Sequence, residues 1–201
     1  METCLIITGG AYEALPELSY DFLIACDKGY SYAKRQGLSV DLCLGDFDSY
    51  EGKPPETGQI YPKEKDDTDT MLAVKYACEQ KYDHIILSCA YGNRLDHLLG
   101  NLSAAVYAAR QGITVWIPGI EEEVHVLGKG EISVKRREGF SISLLSATDT
   151  CGPVYATGLK YKLEGTMLTN AFPLGISNEF LEEEAHIRVE AGVLLVIQSK
   201  M

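Results

Sequence analysis

The chain lacks several things whose absence excludes whole classes of protein. No stretch of its 201 residues holds the ~20 consecutive apolar residues that a membrane-spanning helix requires. Its amino terminus, METCLIITGGAYE, has neither a basic opening nor an apolar segment long enough to direct export, so a cytoplasmic protein is expected. Positive charge is scarce: 18 Lys and Arg stand against 29 Asp and Glu, a formal net charge of −11. A polyanion needs a basic footprint, so nucleic acid is excluded as the main partner, and so is docking on an anionic membrane. A small phosphorylated ligand is not excluded, because a few local cations or a metal ion suffice for it. The six cysteines (Cys4, Cys26, Cys43, Cys78, Cys89, Cys151) include no C-x-x-C pair, which removes the usual zinc spacing. Cys4, Cys26, Cys43 and Cys89 lie in or beside apolar runs, where a thiol behaves as a small hydrophobe. Neither G-x-x-x-x-G-K-[ST] nor G-x-G-x-x-G occurs, so no Walker-type or dinucleotide loop is present by motif. Repeats, long linkers and low-complexity tracts are missing as well.

What is present is a regular alternation. CLIIT (4–8), FLIAC (22–26), VDLCLG (40–45), HIILSCA (84–90) and ITVWI (113–117) are short, rich in Ile, Leu and Val, and bounded by Gly, Asp or Pro. Runs of this kind suit strands buried on both faces of a parallel sheet. Between them lie helix-like segments at 30–36, 68–80 and 95–110. In the last, Leu95, Leu98, Leu99, Leu102, Val106 and Ala109 share one helical face, and Gly112 follows as a stop. In the second, Met71, Val74 and Cys78 form a stripe. After Pro118 the helical period disappears and short alternating segments separated by glycine turns run to the end. The expectation is an α/β domain over 1–120 with a mostly parallel, doubly wound sheet, followed by a small all-β sandwich over 121–201.

The polar residues are placed as informatively as the apolar ones. Asp27 follows FLIAC directly. Asp46 and Asp48, in GDFDS, follow VDLCL. Lys65-Asp66-Asp67-Thr68-Asp69 follows the weak strand QIY and opens a helix. Arg94, Asp96 and His97 follow HIILSCAYG and open the long helix. Segments that follow parallel strands gather at the carboxyl edge of the sheet, where such folds bind ligands. Four clusters from distant parts of the chain therefore converge on one rim.

Each cluster has a chemistry. Asp46 and Asp48 are two apart, so at an extended strand end both carboxylates point the same way and form a hard oxygen site for Mg²⁺. A turn or helix cap is the plainer use of the same residues. Either Asp66 or Asp67 can cap the helix, with Thr68 and Asp69 in its first turn. Capping does not account for three acids and a lysine together, because nearby carboxylates repel unless a cation lies among them. Gly92-Asn93-Arg94 leads into a helix amino terminus, where backbone N–H groups, the helix dipole and the Arg94 fork suit phosphate. Asp96 reads either as a cap or as a group near the metal, and His97 more readily as a packed or capping residue than as a catalyst. Carboxylates, Mg²⁺, an Arg and a Lys on one rim describe phosphoryl-type transfer from a nucleotide.

At these residues the sequence resembles the thiamine pyrophosphokinase family. The carrying segments are CDKG (26–29), VDLCLGDFDS (40–49), KDDTDT (65–70), GNRLDH (92–97), GLKYKLEG (158–165) and GISNEF (175–180), in family order over most of the chain. The resemblance implies an α/β catalytic domain joined to a β-sandwich, and a homodimer whose active site lies between the two domains of different subunits. It implies Mg²⁺-dependent transfer of a pyrophosphoryl group from ATP to thiamine, giving thiamine diphosphate and AMP. By motif position, Asp46, Asp48 and Asp69 are implied to hold metal or activate the thiamine hydroxyl. Asp27, Lys65, Asp66, Arg94, Asp96 and His97 are implied on the ATP side, and Ser177 and Asn178 on the thiamine side. The run Asp27-Lys28-Gly29-Tyr30-Ser31 departs from the family's Asp-Gly-Gly pattern. Tyr161, Phe172 and Phe180 are candidate aromatics for stacking on thiamine, and Trp116 is expected in the core.

Two other readings compete. A haloacid-dehalogenase-like phosphatase also places D-x-D after a strand, but after the first strand, and leaves KDDTD unexplained. A non-catalytic thiamine or nucleotide sensor does not need so many metal ligands.

Overall fold

The computed structural model describes residues 1–16, 18–45, 58–60 (backbone alone), 67–92 and 94–201. They divide into two compact units, one of residues 1–108 with 115–119, the other of residues 109–114 with 120–201.

The first unit carries β1 (Thr3–Ile7), β2 (Phe22–Cys26), α1 (Gly29–Arg35), β3 (Leu42–Gly45), β4 (Gly58–Ile60), α2 (Asp69–Glu79), β5 (His84–Ser88), most of α3 (Leu95–Arg110) and β6 (Thr114–Ile117). Its strands run in the order β6-β5-β1-β2-β3-β4. The β5–β1, β1–β2, β2–β3 and β3–β4 pairings are all parallel. Every strand but β4 lies within two residues of an apolar run in the sequence. The reason is burial: Leu5, Ile6, Ile7, Leu23, Ile24, Leu44, Ile85 and Leu87 have almost no exposed surface, which leaves no polar face to break the run. Tyr32 and Ala33 of α1 pack with Leu5, Ile7, Leu23, Ala25 and Ile86 in one core, and Trp116 is half-buried against it.

Two expectations about the helices need correction. The amino-terminal cap of α2 is neither Asp66 nor Asp67. It is Thr68, extended at φ −71°, ψ 156°, whose hydroxyl accepts from the Met71 N–H at 3.1 Å. Asp67 instead ion-pairs with Lys75 at 2.6 Å. The other correction concerns α3, whose bounds are as expected but whose stripe is buried only at Ala109 and half-buried at Leu98, Leu102 and Val106. Ala104, Ala105, Ala108 and Ala109 are buried, whereas Leu95 and Leu99 are 69% and 54% exposed. At 100° per residue the alanine arc lies about a quarter-turn from the leucine stripe.

The second unit holds β7 (Glu122–Leu127), β8 (Gly130–Lys135), β9 (Phe140–Ser146), β10 (Thr150–Thr157), β11 (Leu163–Thr169), β12 (Gly175–Asn178), β13 (Glu184–Val189) and β14 (Leu194–Lys200). They form an antiparallel array in the order β12-β9-β14-β7 and an all-antiparallel four-stranded sheet in the order β11-β10-β13-β8. One core cluster draws Ile142, Leu144, Leu194 and Val196 from the first array and Val134, Val154, Ile187 and Val189 from the second. Buried and exposed residues alternate along β13, as period-two strands with one face in the core require.

A polar residue lies inside this core. Gln198, with no exposed surface, donates through Nε2 to Glu123 Oε1 (2.6 Å) and to the Lys135 carbonyl (3.0 Å). Its Oε1 accepts from the Arg137 N–H at 3.1 Å. Burial pushes the Glu123 carboxyl up, but His125, Arg137 and Gln198 together hold it below its ordinary value.

Candidate active site

The carboxyl ends of β1, β2, β3 and β5 share one edge, because those strands are parallel neighbours. Asp27 stands at the end of β2 in the left-handed region (φ 45°), which Asp tolerates better than most side chains. Its N–H donates to the Leu44 carbonyl of β3 (3.0 Å), and its carbonyl accepts from Tyr30 N–H (3.1 Å), turning the chain into α1. Its carboxylate lies over Gly45, the last residue of β3. Asp69 opens α2, and its carbonyl accepts from the Cys26 thiol of β2 at 3.5 Å. Burial pushes that thiol well up, and the negative charges of Asp69 and Asp27 push it further. The edge is therefore electronegative, with Asp27 and Asp69 beside the end of β2 and Gly45 leading into GDFDS.

Asp46, Asp48, Lys65 and Asp66 lie outside the described residues. Among the described residues no group of three or more His, Cys, Asp or Glu side chains forms a ready metal cage. The donors that do stand at this edge, Asp27 and Asp69, are carboxylates, the oxygen chemistry a hard divalent cation prefers.

Arg94, Asp96 and His97 lie at the start of α3, all exposed. Arg94 grips Asp96 through two bonds, Nε to Oδ1 at 3.2 Å and an Nη to Oδ2 at 2.6 Å. The guanidinium hydrogen bond holds the Asp96 carboxyl down at about 2. This fork is open to solvent, so an anion with two oxygens can compete for it.

Ser177 and Asn178 lie in the second unit, on β12. Ser177 is exposed in the left-handed region (φ 57°), its N–H bonded to Ser143 Oγ at 3.0 Å. Asn178 is 5% exposed. Its Oδ1 accepts from the Tyr161 N–H (3.0 Å) and the Glu179 N–H (2.9 Å), and its Nδ2 donates to the Tyr161 carbonyl (2.7 Å). The amide is thus occupied in clamping the backbone of Tyr161, whose ring is 62% exposed. Phe172 is 65% exposed, while Phe180 is buried at 9%.

The loop after β1 also belongs to this edge, and it carries none of the residues that the motifs single out. Thr8 Oγ1 donates to the Cys89 carbonyl (2.6 Å) and Tyr32 Oη to the Gly10 carbonyl (2.9 Å). A Cβ on Gly10 would overlap the carbonyls of Cys89 and Tyr91, so only glycine lets the two loops touch. The signal was the Gly9-Gly10 pair directly after the first apolar run.

A parallel sheet with acids at its carboxyl edge, an exposed arginine at a helix start and an antiparallel unit suit a nucleotide-dependent transferase. Comparisons with known proteins agree. Residues 18–117 match the family model described as thiamin pyrophosphokinase, catalytic domain, and residues 129–194 match thiamin pyrophosphokinase, vitamin B1 binding domain. The chain is 27% identical over 212 residues to the thiamine pyrophosphokinase of Bacillus subtilis (strain 168), covering 99% of each. Crystal structures of thiamine pyrophosphokinase from B. subtilis (25% identity, TM-score 0.86, all of both chains) and of thiamin pyrophosphokinase from Geobacillus thermodenitrificans (26%, 0.82, 99% of this chain and 98% of that one) superpose on it. That of Candida albicans thiamin pyrophosphokinase shares the fold at 14% identity and a TM-score of 0.74, over 99% and 89% of the two chains. The chain belongs to the thiamin pyrophosphokinase family, whose activity is ATP-dependent transfer of a pyrophosphoryl group to thiamine.

Proposed function

We propose that this chain performs that transfer in the cytoplasm with Mg²⁺, as a homodimer whose active site is completed by the second subunit. In this reading the unit over 1–120 is a doubly wound nucleotide-binding domain, and the unit over 121–201 is a β-sandwich that binds thiamine. The observation that carries the assignment is the acidic carboxyl edge, where Asp27 lies over Gly45 at the end of β3 and Asp69 meets Cys26 at the end of β2. Asp46, Asp48 and Asp69 would hold Mg²⁺, which when bound neutralises charge on the triphosphate. Asp27, Lys65, Asp66, Arg94, Asp96 and His97 serve the ATP side. The thiamine hydroxyl oxygen forms a bond to the β-phosphorus of ATP, and the bond from that phosphorus to the oxygen bridging it to the α-phosphorus breaks. AMP leaves with that oxygen, and Asp48 or Asp69 accepts the hydroxyl proton.

Arg94→Ala is expected to raise KM for ATP about tenfold to a hundredfold and leave KM for thiamine near its original value, by steady-state kinetics at saturating co-substrate. The Asp96 carboxyl is held far below neutrality by Arg94 and its ordinary value is acidic too, so at pH 7 it is ionised with or without Arg94. The change therefore reports the lost fork.

On the thiamine side, the exposed Tyr161 and Phe172 rings and Ser177 form the contact surface. Tyr161→Ala is expected to raise KM for thiamine about tenfold to a hundredfold, since a cation over an aromatic face is worth ~0.5–2 kcal/mol beyond the buried area. Subunit mixing tests the shared site. Asp46→Asn and Tyr161→Ala chains, each weak alone, are refolded together and recover about a quarter of normal activity if one intact site forms per mixed dimer. Activity no higher than the mean of the two variants contradicts a site built from two subunits.

A further inference from the structure

We propose that Gly45 is a positioning residue for this reaction: its missing side chain is the space in which the Asp27 carboxylate lies over the end of β3. Three observations carry this. A Cβ built on Gly45 would overlap Asp27 Oδ1 and stand 2.6 Å from Asp27 Cγ and 3.2 Å from Asp27 N. Asp27 cannot move aside as a unit, because its N–H is bonded to Leu44 and its carbonyl to Tyr30 N–H. Its φ of 45° then fixes the direction in which Cβ leaves the backbone. With the main chain held on both sides, a methyl at 45 displaces the carboxylate, and the group that loses its place is the first acid of the ATP side. No sequence motif states this relation, because it depends on the register Cys26↔Leu44 between neighbouring strands.

The inference rests on the assignment of Asp27 to the nucleotide side, and the experiment separates the two. Gly45→Ala, Asp27→Ala and the double variant are assayed for kcat and for KM of both substrates, and their melting temperatures are recorded. Gly45→Ala is expected to lower kcat/KM for ATP about a hundredfold in the original chain and less than about threefold in the Asp27→Ala background. The same loss in both backgrounds overturns the proposal, since Gly45 then acts through its own backbone angle (φ 151°) and not through Asp27. Full activity in Asp27→Ala alone refutes the role of Asp27 while leaving the steric coupling readable in the melting temperatures. If Gly45→Ala does not fold, recovery of folding in the double variant supports the proposal and failure to recover overturns it.

Discussion

Asp46→Asn is expected to lower kcat about a thousandfold, some 4 kcal/mol of transition-state stabilisation, with the melting temperature unchanged within a few degrees. The substitution keeps size and shape and removes one negative charge, so the loss isolates the charge proposed to hold the cation. Divalent-metal titration provides the second reading. The variant requires a much higher Mg²⁺ concentration for half-maximal rate, whereas a substitution that only disturbed thiamine would leave that concentration alone. Removing metal from the unaltered protein with a chelator is expected to abolish turnover, and restoring Mg²⁺ to recover it. Near-normal turnover in Asp46→Asn contradicts the placement of metal at this edge.

Gln198→Leu is expected to lower the free energy of unfolding by about 3 kcal/mol, measured by urea denaturation at pH 7. Leucine matches the volume of glutamine but leaves the Arg137 N–H and the Lys135 carbonyl without this partner, and takes a donor from Glu123. The effect depends on pH with a defined sign. Glu123 titrates below its ordinary value when folded, so its contribution is present above the unfolded carboxylate value of about 4.3 and is lost as pH falls through the lower folded value. Removing Gln198 takes away one of the bonds that hold Glu123 down. The pH-dependent loss therefore begins at the same pH in both chains, but in the variant it is smaller and ends at a higher pH. Equal stability at pH 7 contradicts the account of Gln198 as a bonded link in the second unit.

Much of the first unit was legible because parallel strands buried on both faces write themselves as unbroken apolar runs. β1, β2, β3, β5 and β6 coincide with those runs within two residues. The place of Asp27 at the end of β2 was legible for the same reason, since it directly follows the FLIAC run. Details that depend on pairing were not. The α3 sequence offers two competing faces, leucine and alanine, and only contact with its neighbours decides that the alanines are buried. Asn178 shows the same limit at the site. Its motif points to the thiamine side, but the backbone that its amide bonds could not be read from the motif. Here it faces Tyr161. In the second unit, alternation identifies strands and their buried faces but not their partners, so the orders β12-β9-β14-β7 and β11-β10-β13-β8 could not be read from it. The bond between Cys26 and Asp69 likewise joins residues 43 apart that carry no shared pattern.

The central claim is pyrophosphoryl transfer to thiamine, and the most direct measurement is the mass of both products. The purified protein is incubated with Mg-ATP and thiamine, and the mixture is resolved by mass spectrometry. The account predicts AMP and thiamine diphosphate in equal amounts, with neither formed when thiamine or Mg²⁺ is omitted. ADP with thiamine monophosphate, inorganic phosphate released without thiamine, or bound substrates with no product would each contradict it.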